Sequence, residues 1–329
     1  MRHNRNDMSN FSGKLVLVTG GAGFIGSHIV DGLLRQGAKV RVVDDLSTGY
    51  EINIAHSRSH IQFIKGDLAD PAVCREAVEG VDFVLHQAAI PSVPRSIEDP
   101  YATNRSNVTA TLNLAVASSQ ASVKRLVFAS SCAVYGDAHS LPITESAQEQ
   151  PMSPYALSKL IGEQYLDMCR RTYGLAAVSL RYFNVFGPRK DPGSPYSGVI
   201  SRFLSAVLSG RPPVVFGEGD QTRDFVYVEN VVHANLLACH AEEAPGQVIN
   251  VGTGRSKSLL ELLQTLGEFA GTPIEPEHHP PRAGDIRHSL AAIDRARSLL
   301  GYDIQVSFED GLRRTLNWFR EHPGHLPRV

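Results

Sequence analysis

The stretch that most restricts this chain is TGGAGFIGS, residues 19–27, because it continues the apolar run KLVLVTG (14–20) and opens a helical pattern over 24–36. A strand that becomes a helix across glycines needs a backbone path that side chains would block, and it leaves backbone N–H groups facing outward where an anion can sit. Gly20, Gly23 and Gly26 fit GxxGxxG, whereas Gly21, Gly23 and Gly26 fit GxGxxG, and both spacings stay open. Glycines present only for the sterics of a turn are the alternative. The next strand pattern, KVRVVDD (39–45), argues against it by ending on Asp44 and Asp45. A carboxylate there takes the adenosine ribose hydroxyls and repels a 2′-phosphate, so NAD is expected rather than NADP.

Further apolar runs follow at IQFIKGD (61–67), DFVLHQAA (82–89), RLVFASS (125–131) and AAVSLRYFNVFG (176–187), with helical patterns at 71–79, 101–120 and 154–173 between them. Strands and helices taking turns imply an α/β fold, a Rossmann-type doubly wound parallel sheet. After FGPRKDPGSP the pattern changes: Pro and Gly become dense, segments shorten, and helices open at Ser258-Leu-Leu-Glu261 and Ser307-Phe-Glu-Asp310, both resembling capping boxes. We therefore expect an NAD-binding domain over 13–187 and a smaller C-terminal lobe over 188–329, with segments near 224–252 returning to the first. Residues 1–12 are polar and aperiodic and read as a loose tail, in which Met8 is an alternative start.

A chain of 329 residues with 42% hydrophobic content can bury one large core or two modest ones. Its net charge of −2 and lack of a basic run give no footprint for nucleic acid, so a small-molecule partner is expected. Cys74, Cys132, Cys169 and Cys239 show no close pairing, and no signal-peptide core or membrane-length apolar run is present. The expected location is the cytoplasm, with reduced thiols and no membrane partner.

A second signal is SPYALSKLIGE, in which Tyr155 and Lys159 stand four apart on a helix that begins at Pro154. That spacing projects both side chains from one face. The spacing is common by chance, and a half-buried core tyrosine beside a solvated lysine is the alternative. Its weight comes from the preceding strand ending in Ser131, which brings phenol, ammonium and hydroxyl within reach of one nicotinamide.

Together these residues resemble the extended short-chain dehydrogenase/reductases, specifically their nucleotide-sugar epimerase and dehydratase branch. The resemblance runs from about residue 14 onward and includes HQAA (86–89), SVPRS (92–96), LRYFNVFGPR (180–189), GDQTRDFVYVENVV (219–232) and RAGDIRHSLAAI (282–293). It implies that Gly20, Gly23, Phe24, Ile25 and Gly26 cradle the cofactor, that Asp44, Asp45, Ser47, Asp67 and Leu68 meet its adenosine side, and that Ala88, Ala89, Asn107, Tyr155, Lys159 and Tyr182 lie toward the pyrophosphate and nicotinamide. It further implies substrate contacts from Ser92 and Ser131, a phosphate contact from Asn184, uracil packing by Val199 and Phe216, pyrophosphate contacts from Arg223 and Arg282, and a ribose contact from Asp285. Taken singly, either arginine would more often be a surface ion-pair partner and Phe216 a core residue.

The same resemblance places Ser131 against the 4-hydroxyl of the sugar and makes Cys132 and Ala133 decisive. Dehydrating members carry an Asp-Glu pair there, because eliminating water needs an acid for the leaving hydroxyl and a base for the carbon-bound proton. A thiol and a methyl supply neither. The expected activity is therefore C4 epimerisation of a UDP-sugar by an isomerase that keeps its NAD, with Ser131, Tyr155 and Lys159 catalytic and the Tyr155 phenol pulled below its usual value near 10 by the Lys159 ammonium and the oxidised nicotinamide. A 4-keto reductase or other oxidoreductase or dehydratase of the family, or a non-catalytic NAD-sensing protein, are the alternatives. Cys132 reads as an inert buried thiol. His278 and His279 beside Glu277 read as a loop, and no metal is expected. Helical stretches 101–119 and 154–172 resemble those that pair in the family's dimers, so a homodimer is expected. Ser289 falls where hexose-restricted members carry Tyr beside the sugar's C2 substituent, which implies room for an N-acetyl group.

Overall fold

Alternation along the first strand, β1 (Leu15–Thr19), sends Val16 and Val18 into one core layer and Leu17 into the other, so the sheet is buried on both faces. The computed structural model describes residues 11–138, 140–191, 198–281 and 286–323. Helix α1 (Phe24–Arg35) leads to β2 (Lys39–Asp44) and β3 (Ile61–Lys65), then α2 (Pro71–Val78) to β4 (Phe83–His86). Helices α3 (Val93–Glu98), α4 (Pro100–Thr103) and α5 (Ala110–Gln120) precede β5 (Arg125–Ser131), and α6 (Pro154–Tyr173) precedes β6 (Ala177–Tyr182) and β7 (Asn184–Phe186). The remainder comprises α7 (Val199–Leu208), β8 (Val214–Phe216), β9 (Thr222–Arg223), β10 (Phe225–Tyr227), α8 (Val228–His240), β11 (Val248–Val251), β12 (Lys257–Ser258), α9 (Leu259–Ala270), β13 (Glu277–His279) and α10 (Phe308–Glu321).

Seven strands form one parallel sheet in the order β11-β6-β5-β4-β1-β2-β3. The chain runs outward in opposite directions from β1, which opens a crevice at the carboxyl ends of β1 and β4. Helices α1 and α8 cover one face, and α2, α5 and α6 cover the other. The smaller C-terminal part is built from the short ladders β7/β10, β9/β12 and β8/β13 with α7, α9 and α10.

Four sequence expectations need correction here. The apolar run 176–187 is not one strand: it breaks at Phe183, whose N–H donates to Val251 O, after which β7 leaves the sheet to pair with β10. The Glu277–His279 stretch is not a loop but β13, parallel to β8, whereas the 101–120 pattern is continuously helical, α4 running into α5 through a wider π segment over Asn104–Thr109. Phe11 is no part of a loose tail: it is fully buried, edge-on to Phe83 at 5.6 Å and to His240 at 4.7 Å. Residues 1–10, Met8 among them, lie outside the described residues. Finally, Ser258 and Glu261 form a reciprocal capping box, whereas at α10 Ser307 accepts from Asp310 N at 3.1 Å without a return bond. An aspartate side chain is one methylene shorter than the glutamate that closes such a box.

Candidate active site

The site begins with how closely α6 approaches β5. A methyl group on Gly162 would stand 2.6 Å from Phe128 Cζ, so only a bare Cα lets the helix lie this close to the strand. The start of α6 is fixed by Ser153, whose hydroxyl accepts from Ala156 N at 3.1 Å, and by Pro154 in the first turn. One helical turn then places Tyr155 and Lys159 against the end of β5. The Tyr155 hydroxyl lies near that of Ser131, whose side chain favours the ionised phenol. Ser131 itself caps the turn that follows the strand, accepting from Ala133 N at 3.2 Å.

Lys159 is buried. Its Nζ donates to Ala129 O at 2.8 Å and rests 4.9 Å from the Phe128 ring centroid, and burial brings the ammonium down to about 7 against the upward pull of Glu163. Burial also dominates at Tyr155, pushing the phenol up to about 12 despite the Ser131 side chain. In the free chain loss of water governs the phenol, and Lys159 spends its hydrogen bond on a backbone carbonyl; the expected lowering applies to the complex, in which the oxidised nicotinamide adds its charge. The Cys132 thiol is likewise pushed up to about 12 by burial, which leaves it un-ionised and un-nucleophilic.

Behind the strand end lies a buried charge network. Glu163 accepts from Ser130 Oγ and holds Arg181 through Oε1 at 2.9 Å and Oε2 at 2.6 Å, while Arg181 also reaches Glu149 at 2.8 Å. The Arg181 guanidinium stacks 4.6 Å over the Tyr135 ring. Beside it, the fully buried His86 ring is fixed by Thr19 at 2.7 Å and Thr111 at 3.0 Å, and burial pulls it down to about 3.

A cleft of about 780 Å³ opens over this group at the carboxyl ends of the strands. Gly20, Gly23, Phe24, Ile25, Gly26, Asp44, Asp45, Ser47, Asp67, Leu68, Ala88, Ala89, Tyr155, Lys159 and Tyr182 all line it, together with Ser92 and Ser131. Asn107 stands behind the wall, its carboxamide engaged with Ile90 N at 2.8 Å, Ile90 O at 3.3 Å and Ser158 Oγ at 3.0 Å. The Tyr182 hydroxyl accepts from Asn235 Nδ2 at 2.7 Å and lies 3.2 Å from Gln87 Oε1.

The glycine loop fits a dinucleotide diphosphate. Gly20 has φ of +65°, and a methyl there would meet Ala88 N at 2.7 Å; one on Gly26 would meet Gly20 O at 2.1 Å. A methyl on Gly21 would stand 2.6 Å from Val42 Cγ1, so the turn makes use of the glycines of both spacings. The Ncap of α1, Gly23, has no side-chain cap and its first turn carries no acid, so its N–H groups face the cleft unopposed. Asp44 is held at the end of β2 by Ala22 N and Leu46 N, both at 2.9 Å, and burial raises its pKa. These groups suit the diphosphate and the ribose hydroxyls of NAD.

Asn184, Val199, Phe216, Arg223 and Ser289, the rest of the expected substrate set among the described residues, are not among the residues that line this cleft. Asn184 pairs with Phe225 across β7/β10, Val199 is the first residue of α7, and Phe216 lies edge-on to His279 at 5.7 Å. Arg223 donates to Thr222 O at 2.9 Å, and its charge reaches Cys132 beside Ser131. Ser289 is buried, its N–H donating to Thr222 O at 3.1 Å. Arg282 and Asp285 lie outside the described residues. Among the described residues no cluster could hold a metal ion, and no helix is long and apolar enough to cross a membrane.

Sequence reading missed several residues of the cleft and its supports. Tyr50 donates to Asp191 at 2.9 Å, and both line the cleft, as do Arg189 and Lys190. Asp224, fully buried, accepts from Thr253 N at 2.8 Å, Gly254 N at 3.0 Å and Ala291 N at 3.2 Å, tying three loops together. The only available signal was the charged run after Gly187 and the isolated acid after Arg223, neither of which has a periodicity to mark it.

Residues 16–252 match the model of the NAD dependent epimerase/dehydratase family. The chain belongs to this family, and NAD is its cofactor. It is 41% identical over 308 residues to the UDP-glucose 4-epimerase of Mycolicibacterium smegmatis, covering 92% of this chain and 98% of that one. Among solved structures, the UDP-N-acetylglucosamine 4-epimerase of Methanobrevibacter ruminantium, in complex with UDP-N-acetylmuramic acid, is 40% identical with a TM-score of 0.90, covering 94% of this chain and 99% of that one. The UDP-glucose 4-epimerase of Thermus thermophilus in complex with NAD is 38% identical with a TM-score of 0.83, covering 93% and 99%.

Proposed function

We propose that this chain interconverts the C4 epimers of UDP-sugars. The observation that carries the reading is the meeting of Ser131, Tyr155 and Lys159 at the end of β5 with Cys132 and Ala133, rather than acids, in the next two positions. That set can move one proton at one hydroxyl, and it lacks the second acid–base pair that elimination needs.

When bound, NAD supplies a reversible hydride acceptor for C4 and a positive charge that favours an ionised phenol. Tyr155 takes the proton of the 4-hydroxyl and returns it after the 4-keto sugar has turned over. Ser131, beside the phenol, orients that hydroxyl and relays the proton. Lys159 fixes the register of helix on strand and adds its charge when protonated. Turnover of the keto sugar needs a loose sugar pocket and a firm grip on the nucleotide, for which Asn184, Val199, Phe216, Arg223, Arg282 and Asp285 are the proposed residues. In this reading residues 13–187 chiefly hold the cofactor and 188–329 the sugar nucleotide, with 224–252 returning to the sheet through α8 and β11.

Two finer proposals go with it. Ser289 leaves room at the sugar's C2 position, so acetylated as well as plain hexoses are substrates. Val93, Ile97, Tyr101 and Leu157 expose large apolar side chains on the mutually packed α3, α4 and α6, which supports a homodimer formed on that face. The test of the main reading is to mix the purified protein with UDP-glucose or UDP-GlcNAc and no added cofactor. Formation of the C4 epimer supports an epimerase. A reductase would leave these sugars unchanged and consume added NAD(P)H only with a 4-keto nucleotide sugar, and NAD binding without turnover of either substrate would identify a sensor.

A further inference from the structure

Lys190 has no part in the chemistry described so far. It follows Pro188 and Arg189 on the segment leaving β7, and it lines the same cleft as the glycine loop. Its Nζ donates to Val185 O at 2.7 Å and lies 5.6 Å from the Phe24 ring centroid. Among the described residues no carboxylate pairs with it, whereas the neighbouring Arg189 is taken up by Asp31 at 2.7 Å. Burial alone brings the Lys190 ammonium down to about 8, with no nearby charge offsetting it. A sheltered cation without a counter-charge is unfavourable by itself and becomes favourable when an anion arrives.

What surrounds this ammonium is also electropositive. Phe24 is the first residue of α1, whose N-terminus is uncapped and free of acid. Gly198, the Ncap of α7, also has no side-chain cap and no acid in the turn it opens. A methyl on Gly198 would stand 3.0 Å from Lys190 Nζ. An ammonium with no carboxylate partner among the described residues thus stands beside the first residue of α1 and the Ncap of α7 on the wall of a cleft, and it and the two helix N-termini are complementary to negative charge.

We infer that Lys190 is a diphosphate anchor, its ammonium binding phosphate oxygens of a nucleotide ligand lodged between the N-termini of α1 and α7. This rests on reading the cleft as a nucleotide site. Two ligands share the required chemistry, NAD and the UDP moiety of the substrate.

The test uses the NAD-retaining protein and its Lys190→Met, Lys190→Gln and Lys190→Arg variants. NAD retained per chain is measured after gel filtration at increasing salt, and UDP and uridine are titrated calorimetrically. The expected result is that Lys190→Met and Lys190→Gln weaken binding of NAD, of UDP, or of both by about 10- to 100-fold, as for loss of a charge-assisted bond, and that Lys190→Arg restores most of it. Uridine binding stays unchanged. The arm that responds identifies which diphosphate the lysine holds. Unchanged affinity for both NAD and UDP in either folded neutral variant overturns the inference, as does an equal loss for uridine and UDP. None of these readouts needs turnover, so a wild-type protein without epimerase activity would count against the proposed reaction and leave the anchor to be judged on binding.

Discussion

Lys159 donates to the carbonyl of Ala129 at 2.8 Å, two residues before Ser131 on the same strand. This bond ties the helix that carries Tyr155 to the strand that carries its hydroxyl partner. It also means that the lysine acts on the phenol through position, and that Tyr155 is the group proposed to accept a substrate proton. Tyr155→Phe keeps the ring and removes that acceptor. Turnover should fall by about 100- to 10,000-fold while UDP binding is kept. Near-normal turnover would reject Tyr155 as the base.

The buried His86 makes an acid-stability prediction. Its pKa is about 3 in the fold against 6.5 for the free group. Below pH 6.5 the unfolded chain takes up a proton that the folded ring refuses, so the contribution of the neutral ring is full above 6.5 and is lost as pH falls toward 3. Between pH 7 and 4 the loss is on the order of 3 kcal/mol. His86→Gln replaces the ring with a group that does not titrate. Urea unfolding across that range should show a flatter acid limb for the variant; parallel curves would mean that His86 does not set the acid limit.

Much of the fold was legible because strands β1 to β5 are short apolar runs with polar ends, and because the glycine loop demands a strand before it and a helix after it. The break at Phe183 was hidden for the same reason that the strand was visible. Phe183, Val185 and Phe186 continue the apolar run with only Asn184 between them, and a change of pairing partner from β11 to β10 leaves no trace in hydropathy. Phe11 was missed because one aromatic after a mostly polar stretch has no period. In the site, the spacing of Tyr155 and Lys159 was readable, but the burial that governs the phenol in the free chain was not, since it depends on how much water the packed cleft excludes. Asp224 was missed because its three backbone donors come from loops far away in sequence.

The Glu163–Arg181 pair offers a test of the frame behind the strand end. Glu163→Gln removes one charge and leaves Arg181 buried with only the half-exposed Glu149 to balance it. Breaking one partner of a buried pair costs about 3–5 kcal/mol. Denaturant unfolding at neutral pH should show a loss of that size. A change below about 1 kcal/mol, the range of exposed pairs, would place the pair among ordinary surface bridges.

For the dimer, Tyr101 is 87% exposed and Ile97 63% exposed on adjacent short helices, with Leu157 46% exposed on α6 beside them. Light scattering of the wild type should give twice the chain mass at micromolar concentration. Tyr101→Asp with Leu157→Asp should yield the single-chain mass with the melting profile of a folded protein. A wild-type monomer, or a dimer indifferent to both changes, would place the association elsewhere or remove it.

Substrate choice is the last prediction, and it turns on Ser289. Its N–H is bonded to Thr222, whose neighbour Arg223 projects charge to Cys132, one residue from Ser131. Two residues further on, Ala291 N is held by the buried Asp224 at 3.2 Å, so the strip that carries Ser289 is rigidly seated. A ring grafted there cannot swing away with the backbone, and it would occupy the space that a C2 N-acetyl group needs. The cost of forcing several heavy atoms against a fixed ring exceeds the roughly 1–3 kcal/mol at stake for one methylene in a pocket. Ser289→Tyr should therefore abolish epimerisation of UDP-GlcNAc and UDP-GalNAc while sparing UDP-glucose and UDP-galactose, with UDP affinity and melting temperature recorded alongside. If both classes fall together while UDP still binds, or neither changes, Ser289 does not border the C2 substituent and the pocket's tolerance is set by other residues.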